Sequence, residues 1–243
     1  MILAVDCGNS RVKWGLTDRT GGNGARWVER GASPVNDVAS LRASWARLQR
    51  PSCVVGSNVA GPDVARSLEQ ALQALGTDVS WVAPRASQCG VTNGYDQPQQ
   101  LGADRWAALI GARHLHAGPC LVVMAGTATT ADLLAGNGVF TGGIILPGAP
   151  LMKWSLAQRT AGLPERTGRF VDAPRSTADA IETGCLLAQA GAVEKMFARL
   201  GSGGLCLLSG GGASALAPHL GIPLRVVDDL VLEGLAHIAV ASA

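Results

Sequence analysis

The sequence predicts an α/β protein made of two similar lobes, each with a mixed sheet, around a cleft. The main evidence is a repeat: an apolar strand, a tight turn and an alternating strand at residues 2–17 recur at residues 120–146, about half of the 243-residue chain further on. Alternating helical and strand patterns follow each copy, which is typical of α/β folds. We therefore expect an N-terminal lobe at residues 1–117 and a C-terminal lobe at residues 118–243.

The periodicity of apolar residues predicts the elements of the first half in order. These are strands over 2–7 and 11–17, a turn and a third strand at TGGNGARW, a helix over 36–48, a strand over 53–59, a helix over 62–75, a strand over 79–84, a polar loop to about 101 and a helix over 102–116.

The second half begins with its own strand–turn–strand unit, CLVVMAGTATTADLLAGNGVFTGGIIL, in which Asn137-Gly138 is a strong hairpin signal. Helices are expected at about 148–160 and 177–200, and strands at 205–210 and 223–227, before a last helix from about 230.

Composition excludes several classes of protein. Hydrophobic residues make up 47% of the chain, charged residues 16%, and the net charge is +2 without a basic stripe, so we expect no nucleic-acid partner. A charge at position six and the absence of an apolar run of about 18 residues argue against a signal peptide and a membrane span. The six scattered cysteines lack a Cys-x-x-Cys pair, which indicates reduced thiols in a cytoplasmic protein.

The turn DCGNS carries an unexplained carboxylate. Gly8 and Asn9 suffice for a tight turn, but Asp6 at the end of an apolar strand does not help to form it. Beside a polyphosphate, such a carboxylate holds Mg²⁺, usually through water, while Ser10 and Lys13 would bind phosphate oxygens. The alternative is an ordinary hairpin with a turn-capping aspartate.

A second candidate segment is GYDQPQQLGADRW, which contains the only tyrosine, Tyr95. Asp104 lies in the first turn of a predicted helix, where a carboxylate complements the helix dipole, so capping alone would explain it. The functional interpretation makes Asp104 a general base and Arg105 a clamp for an anionic substrate group.

Three further stretches are rich in small or capping residues. In GGIILPG and LLSGGGAS, glycines let the backbone approach another group closely, and the second is suited to a nucleotide. STADAIETG starts with Ser176, whose spacing from Asp179 is that of a helix cap. The four histidines have no nearby carboxylate or serine motif, so hydrolase triads and zinc sites find no support.

Five motifs, DCGNS with Lys13, GADR, GTATTAD, GGIILPG and STADAIETG, together resemble the type III pantothenate kinases nearly from end to end. The resemblance implies two duplicated actin-like (ribonuclease H-like) lobes around a nucleotide cleft and an intimate homodimer. It also implies ATP-dependent phosphorylation of pantothenate to 4′-phosphopantothenate, the first step of coenzyme A biosynthesis.

The resemblance also implies roles for individual residues. Asp6 would organise Mg²⁺ through water, Asp104 would accept the proton of the substrate hydroxyl, and Thr177 would contact pantothenate. ATP would be bound by Asp6, Cys7, Gly8, Asn9, Ser10, Arg11, Val12, Lys13 and Thr127. Pantothenate would be bound by Tyr95, Gly102, Ala103, Asp104, Arg105 and Thr177.

One position departs from the family pattern. The family commonly places an aspartate two residues before the Gly-Thr-Ala turn, where it helps to bind an activating K⁺ or NH₄⁺ ion, and this chain has Met124 there. A thioether is a poor ligand for a hard cation. Either the cation site is built differently, or activity no longer depends on the cation.

Two alternative functions stay open at this point. Another kinase of the same superfamily, acting on a sugar or a short acid, would have the same two phosphate turns but not the GYDQPQQLGADR segment. A non-catalytic nucleotide-binding regulatory factor is the second alternative, because the family includes members named as accessory factors to a virulence regulator.

Overall fold

The computed structural model describes residues 1–21, 24–73, 76–160 and 167–242, with the side chains of residues 19–21 left aside. The chain forms two compact units. Unit 1 comprises Met1–Ala117, Gly138–Thr141 and Asp229–Ala243, and unit 2 comprises Gly118–Asn137 and Gly142–Asp228. The predicted lobe boundary after residue 117 stays a prediction.

Unit 1 is built on a five-stranded sheet in the order β3-β2-β1-β4-β5. Its strands are β1 (Ile2–Cys7), β2 (Arg11–Gly21), β3 (Gly24–Pro34), β4 (Cys53–Asn58) and β5 (Val79–Trp81). Strand β1 pairs antiparallel with β2 and parallel with β4, so the sheet is mixed. The unit also holds a small hairpin of β6 (Ser87–Gln88) and β7 (Val91–Asn93), whose turn has positive φ at Cys89 and Gly90.

Helices cover the sheet of unit 1. They are α1 (Val38–Trp45), α2 (Pro62–Gln73), α3 (Ala103–Leu115) and, after unit 2, α7 (Leu230–Ala241). The apolar side chains of α1 and α2, among them Trp45 and Leu68, form one core with Leu3 and Val5 of β1. Helices α3 and α7 pack on each other and against β1 and β4.

The close approach of α3 and α7 depends on glycine. A Cβ added at Gly234 of α7 would lie 1.8 Å from the carbonyl oxygen of Ala107 in α3, so the backbones would have to separate. We expect Gly234→Ala to lower the free energy of unfolding by about 3 kcal/mol in urea unfolding monitored by circular dichroism.

The matched control for this substitution is Gly191→Ala, at an exposed position inside a helix, where the added Cβ would meet no atom within 4 Å beyond its chain neighbours and its own helix backbone. Alanine has the higher helix propensity, so the control is expected to be neutral or stabilising by up to about 1 kcal/mol. Equal unfolding midpoints for the two variants would contradict the packing argument.

Unit 2 repeats the strand order of unit 1, as β10-β9-β8-β11-β12. Its elements are β8 (Cys120–Ala125), β9 (Ala128–Leu134), β10 (Val139–Pro147), α4 (Ala149–Arg159), α5 (Thr177–Phe197), β11 (Leu205–Ser209), α6 (Ala213–Leu216) and β12 (Leu224–Val226). Strand β8 pairs antiparallel with β9 and parallel with β11, as β1 does with β2 and β4. The first three residues of β10 belong to unit 1, and two of them, Val139 and Phe140, pair with β7.

Helix α5 supplies the core of unit 2. Its residues Ala190 and Val193 pack on Leu121, Val123 and Ala131 of strands β8 and β9. The Ser176 hydroxyl caps the helix by accepting from the backbone nitrogen of Asp179 at 3.1 Å, which confirms the capping interpretation of this motif.

The α/β class and the two mixed sheets are confirmed, and most predicted elements occur within a few residues of their expected limits. The predicted helix over 36–48 is shorter because the Asp37 side chain caps it, accepting from the backbone nitrogen of Ser40. The loop expected before residue 101 contains the β6–β7 hairpin, which the sequence analysis missed.

Residues 22–23 and 74–75, in a predicted turn and helix end, lie outside the described residues. Within the described ranges, we find no helix with the length and apolarity that a membrane span requires.

Candidate active site

The first of two glycine-containing turns, in DCGNS, joins β1 to β2. The backbone nitrogen of Gly8 donates to the carbonyl oxygen of Arg11 at 3.0 Å, which closes the turn and leaves Asn9 and Ser10 exposed. Asp6 and Lys13 lie opposite each other in the register of the two strands. Opposed residues of an antiparallel pair point to the same face, so both side chains leave the sheet together.

Asp6 is held by Ser57, a residue that the sequence analysis did not single out. Strand β4 lies beside β1 with Ser57 level with Asp6, and the Ser57 hydroxyl donates to Asp6 Oδ1 at 2.8 Å. The pKa of Asp6 is raised to about 6, chiefly by burial and to a smaller extent by the carboxylates of Asp104 and Asp229, and against the lowering effects of Ser57 and Lys13. In the metal-free protein, the charged form of Asp6 therefore lowers the free energy of unfolding. Carboxylates with pKa values perturbed in this way are often found at functional sites.

Lys13 forms an ion pair with Asp229 at the start of α7. Its Nζ lies 2.9 Å from Asp229 Oδ1, and Arg30 Nη1 lies 3.5 Å from Asp229 Oδ2. Asp229 was not among the predicted site residues. It adjoins a predicted helix start, where an aspartate is normally explained as a cap.

The GADR motif begins α3, as expected. Gly102 is the N-cap residue, and Asp104 Oδ1 accepts from the backbone nitrogen of Arg105 at 2.8 Å. This bond joins neighbouring residues and orients the half-buried Asp104 carboxylate. Because Asp104 acts electrostatically on Asp6, the structure places the two predicted acidic residues in one group within unit 1.

The Arg105 side chain is buried and contacts Tyr95 and Phe140. It is only 5% exposed, Nη1 donates to the Tyr95 hydroxyl at 3.0 Å, and the guanidinium lies over the rings of Tyr95 and Phe140, 5.7 and 5.9 Å from their centres. Its face of α3 is buried, so the guanidinium finds its partners inside the unit. Arg105 therefore fixes Tyr95.

The loop that carries Tyr95 is held by Asn93, another residue that the sequence analysis missed. The Asn93 side chain accepts from the backbone nitrogen of Tyr95 and donates to the carbonyl oxygen of Pro98, both at 3.1 Å. The Asn93 side-chain amide therefore links the two ends of the loop that carries Tyr95. This Asn-centred pattern is common in turns and could have been suspected from the sequence.

The second turn, in GTATTAD, joins β8 to β9 in unit 2. The Gly126 nitrogen donates to the carbonyl oxygen of Ala128, two residues on, at 3.0 Å, whereas Gly8 donates three residues on, and Thr127 is exposed. The nitrogens of Gly148 and Gly212 donate to the carbonyl oxygens of Thr127 and Ala125, both at 2.9 Å. The motifs GGIILPG and LLSGGGAS therefore support this turn.

Glycine is required on both sides of the second turn. A Cβ at Gly148 would lie 2.1 Å from the carbonyl oxygen of Gly126, and one at Gly210, whose φ is +100°, would lie 2.3 Å from that of Ala125. The small residues that suggested a nucleotide site thus have a packing role as well.

Met124 is half-buried and lies opposite Thr130 in the β8–β9 register. The Thr130 hydroxyl is buried and has no hydrogen-bond partner among the described residues. On the other side of β8, Ser209 of β11 lies level with Met124, and Asp132 lies two residues beyond Thr130 in β9. The Met124 thioether itself is a poor ligand for a hard monovalent cation, so it does not replace the family aspartate.

Mg²⁺ suits the Asp6 carboxylate better, because this hard cation prefers oxygen ligands. The carboxylates of Asp104 and Asp229 act on Asp6 electrostatically. No cluster of three metal-binding side chains occurs in the part of the chain that the structure describes. A magnesium ion would therefore depend on Asp6, directly or through water, and on ligands from the nucleotide.

Thr177 is the first residue of α5 in unit 2. It lines a groove of about 490 Å³ between α4 and α5, together with Met152, Leu156 and Ile181. Beside the groove, Trp154 and Leu187 are 51% and 54% exposed. Within unit 2, Thr177 thus belongs to an apolar surface.

Nearly the whole chain is similar to known proteins. A model of the type III pantothenate kinase family matches residues 2–199. The type III pantothenate kinase of Aromatoleum aromaticum is 53% identical over 241 residues, which cover 98% of each chain.

Two solved structures share the fold. A Campylobacter jejuni protein described as a Baf family transcriptional activator has a TM-score of 0.67 at 20% identity, covering 99% of this chain and 98% of its own. A Sinorhizobium meliloti protein described as a 2-dehydro-3-deoxygalactonokinase has a TM-score of 0.58 at 17% identity, with 98% and 96% covered. The predicted actin-like and sugar-kinase fold is confirmed, and the chain belongs to the type III pantothenate kinase family.

Proposed function

We propose that the protein transfers the γ-phosphoryl group of ATP to the primary hydroxyl of pantothenate, giving 4′-phosphopantothenate for coenzyme A biosynthesis. The observation that carries the proposal is the grouping of Asp6, Lys13 and Asp104 in one unit of a chain that belongs to this kinase family. Phosphoryl transfer asks the protein mainly to position reactants and to neutralise charge.

Asp104 is proposed as the base that accepts the hydroxyl proton. Its Oδ1 is oriented by the backbone nitrogen of Arg105, so the carboxylate is held at the start of α3. A positioned base of this kind contributes about 10²–10⁴-fold to the rate. Tyr95, Gly102, Ala103, Arg105 and Thr177 are proposed to bind pantothenate, with Arg105 acting through the Tyr95 hydroxyl.

Asp6 is proposed to hold Mg²⁺, which when bound neutralises charge on the phosphates of ATP. Lys13 and the residues from Cys7 to Val12 are proposed to bind the phosphate chain with Thr127. Cys7 and Val12 are fully buried, so any contact from them to ATP comes through the backbone. Asn9, Ser10, Arg11 and Thr127 are exposed and can bind through their side chains.

A substrate panel tests the proposal against another kinase of the same superfamily. ADP release would be measured with pantothenate, with a hexose and with a short hydroxy acid. We expect turnover with pantothenate only, because the segment around Tyr95 and Asp104 belongs to the pantothenate kinases. Tight ATP binding with no turnover on any of these would favour a regulatory factor.

The protein is proposed to form a homodimer through the surface of α4 and α5. Two large apolar side chains, Trp154 and Leu187, stand exposed beside the apolar groove, and such patches mark interaction sites. We expect Trp154→Glu to shift a dimer towards monomer in sedimentation velocity at micromolar concentration. The exposed Val28, in unit 1, provides the control: Val28→Glu should leave the mass unchanged. Dimers of equal stability in both variants would contradict this surface.

Activity is proposed to be independent of K⁺ and NH₄⁺, because a thioether stands at the position where the family commonly has its aspartate ligand. We expect the same pantothenate-dependent turnover in potassium, ammonium, sodium and tetramethylammonium chloride at equal ionic strength. A rise of tenfold or more with potassium or ammonium would show that other residues supply the ligands. Met124→Asp is the complementary test, because restoring the family aspartate should make turnover rise with potassium.

The protein is also proposed to work in the cytoplasm. All six cysteines are free, and Cys7, Cys120, Cys185 and Cys206 are buried, which suits a reducing compartment.

A further inference from the structure

Asp229 combines two unusual features. It is the first residue of unit 1 after the chain leaves unit 2, and it adopts the left-handed conformation with φ 51° and ψ 47°. Few residues other than glycine occur there, although Asp and Asn are tolerated. It is also the N-cap residue of α7, yet its side chain makes no capping hydrogen bond. Strained backbone of this kind is concentrated at functional sites.

The carboxylate that does not cap the helix instead binds two cations. Oδ1 accepts from Lys13 at 2.9 Å and Oδ2 faces Arg30 at 3.5 Å. The pair with Lys13 is partly buried, since the two side chains are 30% and 22% exposed. It is therefore less screened by solvent than an ordinary surface ion pair.

This arrangement decides which carboxylate holds Lys13. Asp6 is its neighbour across the β1–β2 pair, but in the described ranges Lys13 forms its ion pair with Asp229, while Asp6 accepts from Ser57. Asp6 therefore stays available to a cation. An ammonium group has three donors, so Lys13 keeps two for phosphate oxygens while it is held by Asp229.

We propose that Asp229 is a positioning residue that anchors the Lys13 ammonium for the phosphates of the nucleotide and keeps it away from Asp6. The inference rests on the proposed function. Lysine has a long flexible side chain, and holding it in place before the nucleotide arrives reduces the entropy lost on binding.

A double-mutant cycle tests this role. Asp229→Asn keeps a residue that tolerates the left-handed conformation and removes only the charge. The probe is AMP-PNP with Mg²⁺, and its dissociation constant is measured by calorimetry in the wild type, Asp229→Asn, Lys13→Gln and the double variant. We expect Asp229→Asn to weaken binding about tenfold in the wild-type background and less than twofold in the Lys13→Gln background.

The control is Asp228→Asn, which changes an exposed neighbour and should leave the dissociation constant within twofold of the wild type. An equal loss in both backgrounds would mean that Asp229 acts through the general structure, and would overturn the proposal. Unchanged or tighter binding by Asp229→Asn would overturn it too, since the carboxylate would then compete with phosphate for Lys13.

A wild-type chain that binds no AMP-PNP overturns both this role and the kinase function. If the wild type binds AMP-PNP but does not phosphorylate pantothenate, the kinase function fails while the cycle still decides the role of Asp229.

Discussion

Asp104→Asn is expected to lower kcat by about 10²–10⁴-fold while the affinity for ATP stays within twofold. The substitution removes the proton acceptor but keeps an oxygen that can accept from the backbone nitrogen of Arg105, so α3 should begin as in the wild type. The measurement is pantothenate-dependent ADP release, combined with calorimetric titration of AMP-PNP.

Asp96→Asn is the matched control for this prediction. Asp96 is exposed in the loop that carries Tyr95, and the same loss of charge there should change kcat by less than twofold. If Asp104→Asn turns over like the control, Asp104 is not the base.

Asp6→Asn is expected to abolish turnover and yet to stabilise the metal-free protein at neutral pH. The folded-state pKa of Asp6 is about 6, against 3.8 for an ordinary aspartate, chiefly because burial disfavours the charged form. The folded state therefore binds the proton more tightly, and the contribution of this group to the free energy of unfolding falls as the pH rises from 3.8 to about 6. Above that window the charge costs about 3 kcal/mol, and the substitution removes this cost.

Urea unfolding in EDTA checks the sign. Asp6→Asn should exceed the wild type in stability at pH 7.5 by up to about 3 kcal/mol, and this advantage should shrink at pH 4.5. Asp228→Asn, at an exposed position, should show no such dependence. A variant that is less stable than the wild type at pH 7.5 would mean that Asp6 is held by attractive interactions stronger than its burial.

The two turns in DCGNS and GTATTAD could be predicted because a tight turn is specified by adjacent residues. Gly8 and Asn9, or Gly126 and Thr127, specify a tight turn from adjacent residues, and the strands on either side alternate. The repeat was predictable for the same reason. Strand pairs joined by short turns were correctly identified in both halves, and both sheets continue with parallel strands.

Ser57 and Asp229 could not be found in this way, because long-range pairing brings them to the site. Ser57 reaches Asp6 only because β4 pairs in parallel with β1, at a register that the sequence does not specify. Asp229 reaches Lys13 from the other end of the chain. In the sequence, each resembles a common residue: a serine in a buried strand and a cap before a helix.

Arg105 shows a different limit of prediction. Its place beside Asp104 suggested a clamp for an anionic substrate group, which stays a prediction, and the run of buried residues along α3 shows that its own face of the helix is covered. Tyr95 then provides the partner that a buried guanidinium needs. The glycines at 148 and 210 were noticed as small residues, but the carbonyl oxygens that exclude a side chain become known only with the fold.

The most direct test of the central claim is to identify the product formed from ATP, Mg²⁺ and pantothenate. We predict one phosphorylated product per ADP released, with the phosphorus of its NMR spectrum coupled to the methylene protons of the primary alcohol. Asp104→Asn, run beside the wild type, should form almost none. A folded wild-type protein that leaves pantothenate unmodified, or that phosphorylates its secondary hydroxyl, would contradict the account.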